Sequence, residues 1–288
     1  MRVLVTGAAG MVGRAVSEHC RSCRDEVFAY DRGGLDISDA HRVLQAIERD
    51  RPEAVINCAA WTDVDGCESD HARAQAVNAG GPENLARASR RIGAVLVTIS
   101  TDYVFDGEKD GFYTQRDDPN PRSVYGVSKL DGERRAQNAF ARTIIVRSGF
   151  IFGPGGRNFL STIAERVQNG ERFGAIRDAW GTPTYSRHLA ARLRELARLD
   201  LPGTYQVVNA GDGVSYEEFA RAVVEELQGD QSFVHSVVMD SLKRPAPRPR
   251  NSRLRCLISA AIGLAPLPIW REAVQHFVAL NQSLRMTN

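Results

Sequence analysis

The chain has 288 residues, 43% hydrophobic and 25% charged, with 37 basic and 35 acidic side chains and a formal net charge of +2. That length carries one large domain or two small ones with a sizeable core, and the near-balanced charge gives no case for nucleic acid or a membrane surface as partner. No apolar run approaches the roughly 20 residues of a membrane helix, and the N-terminus lacks the charged start, apolar run and cleavage site of a signal peptide.

Residues 2–6, "RVLVT", read as a short apolar strand, and a helical pattern follows over residues 11–20. "EVFAY" is a second strand, ending at Asp31. "SDAHRVLQAIERD" is a helix that Ser38 or Asp39 can cap, with Val43, Leu44 and Ile47 on one apolar face. "EAVINCAA" is the third strand, a helical region runs to about Arg91, and "GAVLVTIS" is the fourth strand. A helix over residues 123–139 leads to a fifth, "RTIIVRS". Continuous apolar strands separated by helices predict a parallel sheet covered on both faces, the doubly wound α/β pattern of the Rossmann fold.

After "GFIFGPGG" the rhythm changes. Helical patterns fall over residues 158–169, 187–199 and 215–228, with short strands at "ERFGAI" and "GTYQVV". A Pro-rich "KRPAPRPR" and an amphipathic helix around residues 270–280 close the chain. The expected division is a dinucleotide-binding domain over 1–150 and a smaller C-terminal substrate-binding lobe over 151–288. The two interleave, with segments around 172–199 returning to the first. The five scattered cysteines, Cys20, Cys23, Cys58, Cys67 and Cys256, read as reduced thiols of a cytoplasmic protein.

"TGAAGMVG" sets Gly7, Gly10 and Gly13 between the first strand and the first helix, with Met11 and Val12 at the helix start. Glycine permits a tight turn and lets backbone approach a pyrophosphate, which the helix N-terminus then meets with its free N–H groups. Asp31 closes the second strand, where an acid can bind the adenine ribose hydroxyls. It leans towards NAD. Arg32 beside it can accommodate a 2′-phosphate, so NADPH and NADH both stay open. Asp36 and Ile37 are placed to border the adenine.

"YGVSK" sets Tyr125 and Lys129 one turn apart on a helix face. Lysine occurs only at Lys109, Lys129 and Lys243, in a chain that otherwise uses arginine for positive charge. A compact ammonium can sit near both a phenol and a ribose, which the broad guanidinium fork cannot. It would lower the phenol's pKa, and the phenol would trade a proton with an alkoxide.

With the glycine loop, "STDYVF" and "YGVSK" in this order, the chain resembles the extended short-chain dehydrogenase/reductase family. Within it, "VINCAAWTDVDGCE", "STDYVFDG", "RNF", "GTPT" and "RPAPRPRNSRL" resemble the dTDP-4-dehydrorhamnose reductase branch over almost the whole length. The resemblance implies that NADPH or NADH reduces the C4 ketone of a dTDP-4-keto-6-deoxy sugar. It implies that Tyr125 protonates the oxyanion, that Lys129 holds the nicotinamide ribose, and that Thr101 hydrogen-bonds the reacting oxygen. Cys58, Ala59 and Ala60 are expected along the cofactor. Thr62, Val64, Asp102, Tyr103, Phe150, Asn158, Trp180 and Arg248 are expected around the substrate. Ser100 and Asp102 are also expected to hold the turn at the strand end.

Departures from the branch carry information too. Dehydratases of the family place a carboxylate where this chain has Tyr103, so reduction is favoured over elimination. Metal-holding glutamates of some members correspond to Ala15 and Arg187, so no metal is expected and a homodimer is left open. A tryptophan common near the sugar is Phe150, which keeps an apolar wall without the N–H donor. The substrate could therefore be a branched or methylated 4-keto sugar of a secondary-metabolite pathway. Two other readings stand beside this one: a non-catalytic regulatory subunit resembling that of methionine adenosyltransferase, and a nucleotide-sugar epimerase.

Overall fold

A computed structural model describes residues 1–286. The first half is β1 (Arg2–Thr6), α1 (Met11–Ser22), β2 (Glu26–Tyr30), α2 (Ala40–Asp50), β3 (Ala54–Asn57), α3 (Val64–Ser69), α4 (His71–Gln75), α5 (Gly81–Ile92), β4 (Val95–Thr101), α6 (Val124–Ala139) and β5 (Thr143–Ser148). A π-helical turn, Ala76–Gly80, joins α4 to α5. The second half is β6 (Ile151–Phe152), α7 (Phe159–Gln168), β7 (Phe173–Ile176), β8 (Trp180–Gly181), β9 (Thr184–Tyr185), α8 (Ser186–Leu199), β10 (Gly203–Gln206), β11 (Val214–Ser215), α9 (Tyr216–Glu226), β12 (Val234–Val237) and α10 (Trp270–Met286).

Local chemistry sets the helix starts. Asp39, rather than Ser38, caps α2 by accepting from the His41 and Arg42 amides. Ser123 caps α6 through the Gly126 amide, and Ser215 and Glu218 form a reciprocal capping box on α9.

The six-stranded sheet is parallel throughout, in the order β10-β5-β4-β3-β1-β2. Alternate residues of each strand serve opposite layers. Val3 and Val5 of β1 join Val16 of α1 and Leu189, Leu193 and Leu196 of α8. Leu4 faces the other way, into Val43 and Ile47 of α2 and Leu85 of α5. Both faces are covered, which is why the strands read as unbroken apolar runs.

The boundary between the lobes differs from the sequence expectation. "GTYQ" is not in the smaller lobe: β10 pairs with β5 as the sixth strand. Tyr205 and Val207 are buried there beneath α8, and this burial draws the segment onto the sheet. Residues 172–199 divide, since α8 packs on the sheet while β7 pairs with β12 outside it. The smaller lobe has its own core, with Phe152, Ile163, Phe219, Val223 and Phe277 at its centre.

One buried ion pair ties α6 to β5. The Arg147 fork donates to Glu133 at 3.0 Å (Nε to Oε1) and 2.7 Å (Nη2 to Oε2), and both side chains are almost wholly enclosed. Glu133→Ala would leave the guanidinium buried and alone. A loss of about 3–5 kcal/mol in urea unfolding is expected, and a variant whose stability matches the parent's would show that water reaches Arg147.

Candidate active site

The chain leaves β1, turns back on itself, and enters α1 at the switch point of the sheet, where β1 lies between β2 and β3. Gly7 makes that turn at φ +65°, and a Cβ there would lie 2.7 Å from the Ala59 amide nitrogen. Gly13 serves the packing of the helix instead. A Cβ at Gly13 would come within 2.2 Å of the Gly7 carbonyl, so its absence lets α1 settle onto the loop. Gly7→Ala meets both a left-handed backbone and a backbone clash, so reduced-dinucleotide affinity should fall at least about tenfold and Tm should fall several degrees. Fluorescence titration and thermal unfolding check this.

Beside the loop lies a cavity of about 250 Å³. Gly7, Gly10, Asp31, Arg32, Asp36, Ile37, Cys58, Ala59 and Ala60 border it, together with Trp61 of "WTDVD" and with Leu35, Arg73 and Val77, which sequence reasoning missed. The Asp31 carboxylate accepts from the Gly34 amide at 2.8 Å. Asp36 accepts from the Ser38 hydroxyl at 2.7 Å and amide at 3.0 Å, and these bonds hold its carboxyl below the usual carboxylate range. The Arg73 guanidinium stacks 4.3 Å over the Trp61 ring. Gly13 and Met11 do not border this cavity. The Met11 sulfur instead accepts from the Ser161 hydroxyl at 3.5 Å, under the 153–161 turn.

A larger cavity of about 590 Å³ opens over the carboxyl ends of β4 and β5, and it shares Cys58, Ala59 and Ala60 with the first. Val12, Thr62, Val64, Thr101, Asp102, Tyr103, Tyr125, Lys129, Phe150, Asn158 and Arg248 all line it. Burial drives the Cys58 thiol up to about 12, so it stays protonated and inert.

The Thr101 hydroxyl is the centre of a short chain of contacts. It donates to Asp102 Oδ1 at 3.0 Å, accepts from the Tyr103 amide at 3.2 Å, and lines the cavity together with Tyr125. Burial raises the Asp102 carboxyl to about 6, against hydrogen bonds from Ser252 and Thr101 that favour its charged form. Ser100 does not hold the turn: its hydroxyl is buried with no protein partner.

Two expectations about charge need correcting. Lys129 Nζ donates to the Ile99 carbonyl at 2.7 Å, and burial lowers its pKa to about 8. The Tyr125 phenol is pushed up, not down. Burial is the main cause, the neighbouring Thr101 opposes it, and Asp102 and Tyr103 add to it. Desolvation is the largest influence on the phenol, ahead of every neighbouring group that acts on it.

Three further expectations shift with the tertiary structure. Arg248 reaches the cavity, but its fork grips Asp65 at 2.9 Å (Nη1 to Oδ1) and 2.8 Å (Nη2 to Oδ2). Asn158 lines the cavity but spends its amide capping α7 and donating to the Ile151 carbonyl at 2.8 Å. Trp180 does not line the cavity. Its backbone is bonded to Arg250 and Ser252, and its ring is exposed beside the Gly181 that faces Phe150. Tyr216 and Leu242, which sequence reasoning missed, do line it, as does Arg244, the first arginine of "RPAPRPR". The capping box announces that α9 starts at Tyr216, but nothing local says where the ring points.

A doubly wound sheet with a glycine turn at its switch point, and a tyrosine and lysine four apart over the strand ends, defines an extended short-chain dehydrogenase/reductase. The chain belongs to the RmlD substrate binding domain family, whose model matches residues 1–283. It is 40% identical over 286 residues to a dTDP-4-dehydrorhamnose reductase of Streptomyces griseus, covering 97% of this chain and 94% of that one. It is 37% identical over 282 residues to a probable dTDP-4,6-dihydroxy-2-methyloxan-3-one 4-ketoreductase of Streptomyces antibioticus, covering 96% and 94%. A crystal structure of the Bacillus anthracis dTDP-4-dehydrorhamnose reductase in complex with NADP superposes with a TM-score of 0.92 at 33% identity, covering 96% of this chain and 98% of that one.

Proposed function

We propose that the chain is an NADPH- or NADH-dependent reductase of the C4 ketone of a dTDP-4-keto-6-deoxy sugar. The observation that carries this is Thr101, Tyr125 and Lys129 together in one cavity, which shares Cys58, Ala59 and Ala60 with the glycine-loop cavity. The turn at Gly7, with no room for a Cβ, fits a backbone pressed close to a pyrophosphate. Gly7, Gly10, Asp31 or Arg32, and Cys58 to Ala60 would hold the dinucleotide, which supplies hydride to C4.

The chain's own residues do the rest. Thr101 orients the C4 oxygen. Tyr125, kept protonated by burial, gives that oxygen its proton as negative charge develops on it. Lys129 holds a ribose hydroxyl and steadies the phenolate left behind. Tyr103 stands where a carboxylate would be needed to remove a ring proton, so the ketone is reduced and water is not lost. Arg244 and Arg248 face the diphosphate, and Thr62, Val64 and Phe150 enclose the sugar.

The reductase names of the relatives favour neither the regulatory subunit nor the epimerase. Supply of a deoxysugar to a secondary metabolite, in the cytoplasm, belongs to the same proposal. Ala15 is buried and Arg187 is exposed at the positions of the metal-holding glutamates, so any homodimer is proposed to form without a metal.

The test is turnover of a panel of dTDP-4-keto-6-deoxy sugars, followed by loss of reduced-nicotinamide absorbance and by product mass. Tight dinucleotide binding with no reduction of any of them would overturn the proposal.

A further inference from the structure

Two glycine-rich loops from opposite halves of the chain meet at the start of α1. The first is the turn after β1, whose Gly7, Ala9 and Gly10 border the smaller cavity. The second is "GPGGR", residues 153–157, which leaves β6 and leads into α7. Its far end belongs to the larger cavity, where Asn158, Phe159 and Leu160 form part of the wall. The second loop is seated on α1. The Ser161 hydroxyl donates to the Met11 sulfur at 3.5 Å and accepts from the Gly153 amide at 3.2 Å. A Cβ on Gly156 would lie 2.5 Å from the same sulfur, so glycine lets the loop come down onto the helix. Gly155 turns at φ +69°, and a Cβ there would run into the Arg14 guanidinium.

Arg14 joins the two loops directly. Its Nη1 donates to the Ala9 carbonyl, and its Nη2 donates to the Gly155 carbonyl at 3.0 Å. One rigid planar fork thus fixes a carbonyl of each loop. Arginine is otherwise poorly suited to this place. A cation in the first turn of a helix opposes the helix dipole, and α1 has no acidic residue there to offset it. The charge becomes favourable once a pyrophosphate lies at the same helix end. A dinucleotide that fixes the turn after β1 also fixes the Ala9 carbonyl. With it are fixed Arg14, Gly155 and the loop that ends in the substrate wall.

We propose that Arg14 is a positioning residue that couples the two cavities. Through the link from Ala9 to Arg14 to Gly155, a bound dinucleotide sets the wall of Asn158 to Leu160 and so tightens the nucleotide sugar. By reciprocity, the nucleotide sugar tightens the dinucleotide by the same factor. This rests on the reduction proposed above, which supplies the occupants of the two cavities. Charge and coupling are separable at this position. A lysine ammonium carries the same charge, but it has no fork to hold two carbonyls in one fixed geometry.

The experiment is isothermal titration of dTDP, which lacks the reacting sugar, with and without saturating NADP⁺ or NAD⁺, whichever binds the parent more tightly. The dinucleotide should tighten dTDP about fivefold or more in the parent, and dTDP should tighten the dinucleotide equally. Arg14→Lys should bring that factor to about one while affinity for the dinucleotide alone stays within about threefold. Arg14→Met should lose the coupling and also about fivefold of dinucleotide affinity, because the charge goes too. Cooperative urea unfolding shows that each variant is folded. Equal dTDP affinity with and without dinucleotide in the parent overturns the coupling. An Arg14→Lys variant with the parental factor overturns the role of the fork. A parent that binds dinucleotide but no dTDP overturns the nucleotide-sugar reading itself.

Discussion

Tyr125→Phe should lower kcat/KM by roughly 10² to 10⁴ while leaving dinucleotide affinity within a factor of about two. The variant removes one atom, the phenol oxygen of a residue that lines the cavity. The ring keeps its edge contact with Tyr103, so the local packing has no reason to collapse. Loss of a phenol hydroxyl costs about 1 kcal/mol of stability at most, a few degrees of Tm for a chain of this size. A fall in rate far larger than the fall in stability would therefore report chemistry. The raised phenol pKa matters for direction. A phenol that stays protonated through neutral pH is ready to donate, as reduction of a ketone requires. Near-normal turnover by the variant would remove Tyr125 as the donor, and water or Thr101 would have to take its place.

Lys129→Met should lose activity by a comparable factor and yet be more stable than the parent at pH 7. Lys129 is buried, and desolvation, its largest influence, lowers it from 10.5 to about 8, with Glu133 and Cys58 pulling it back up. That shift corresponds to a penalty on the order of 3 kcal/mol for carrying the charge in the fold. The bond to the Ile99 carbonyl returns about 1 kcal/mol. The sign follows from proton counting. Between about pH 8 and 10.5 the unfolded chain holds the lysine proton and the folded chain does not, so parental stability rises with pH across that window. Below it the full penalty is present. Urea unfolding should thus show the methionine variant ahead by about 1–3 kcal/mol at pH 7, with the gap closing by about pH 10. The parent's kcat/KM should decline above about pH 8, as the free enzyme loses the ammonium. A variant less stable than the parent at pH 7 would mean that the ammonium is well solvated where it sits.

Much of this molecule is legible from local pattern. Unbroken apolar strands between amphipathic helices report a sheet buried on both faces, and the layers around Leu4 and Val5 show why. Glycine spacing after a strand and the four-residue step from Tyr125 to Lys129 are local geometry too. A turn and a helix fix such relations wherever they lie. The second half is less legible because its segments are short and find their partners far along the chain. "GTYQ" reads as any short strand, and only burial against α8 sends it to the main sheet.

The site divides along the same line. Sequence alone determined the residue types and their order: the glycine loop, Thr101 at a strand end, the tyrosine and lysine on one helix face, and Tyr103 where a carboxylate would have meant other chemistry. Tertiary structure decided what the groups contributed from a distance do. It left Trp180 outside the cavity and brought Tyr216 in, gave Arg248 to Asp65, and let burial raise the phenol that its lysine was expected to lower. The physical reason is one of range. Hydrogen-bonding and steric rules act over a few residues and can be read in order along the chain, whereas desolvation and side-chain direction depend on whichever remote segment closes over the group.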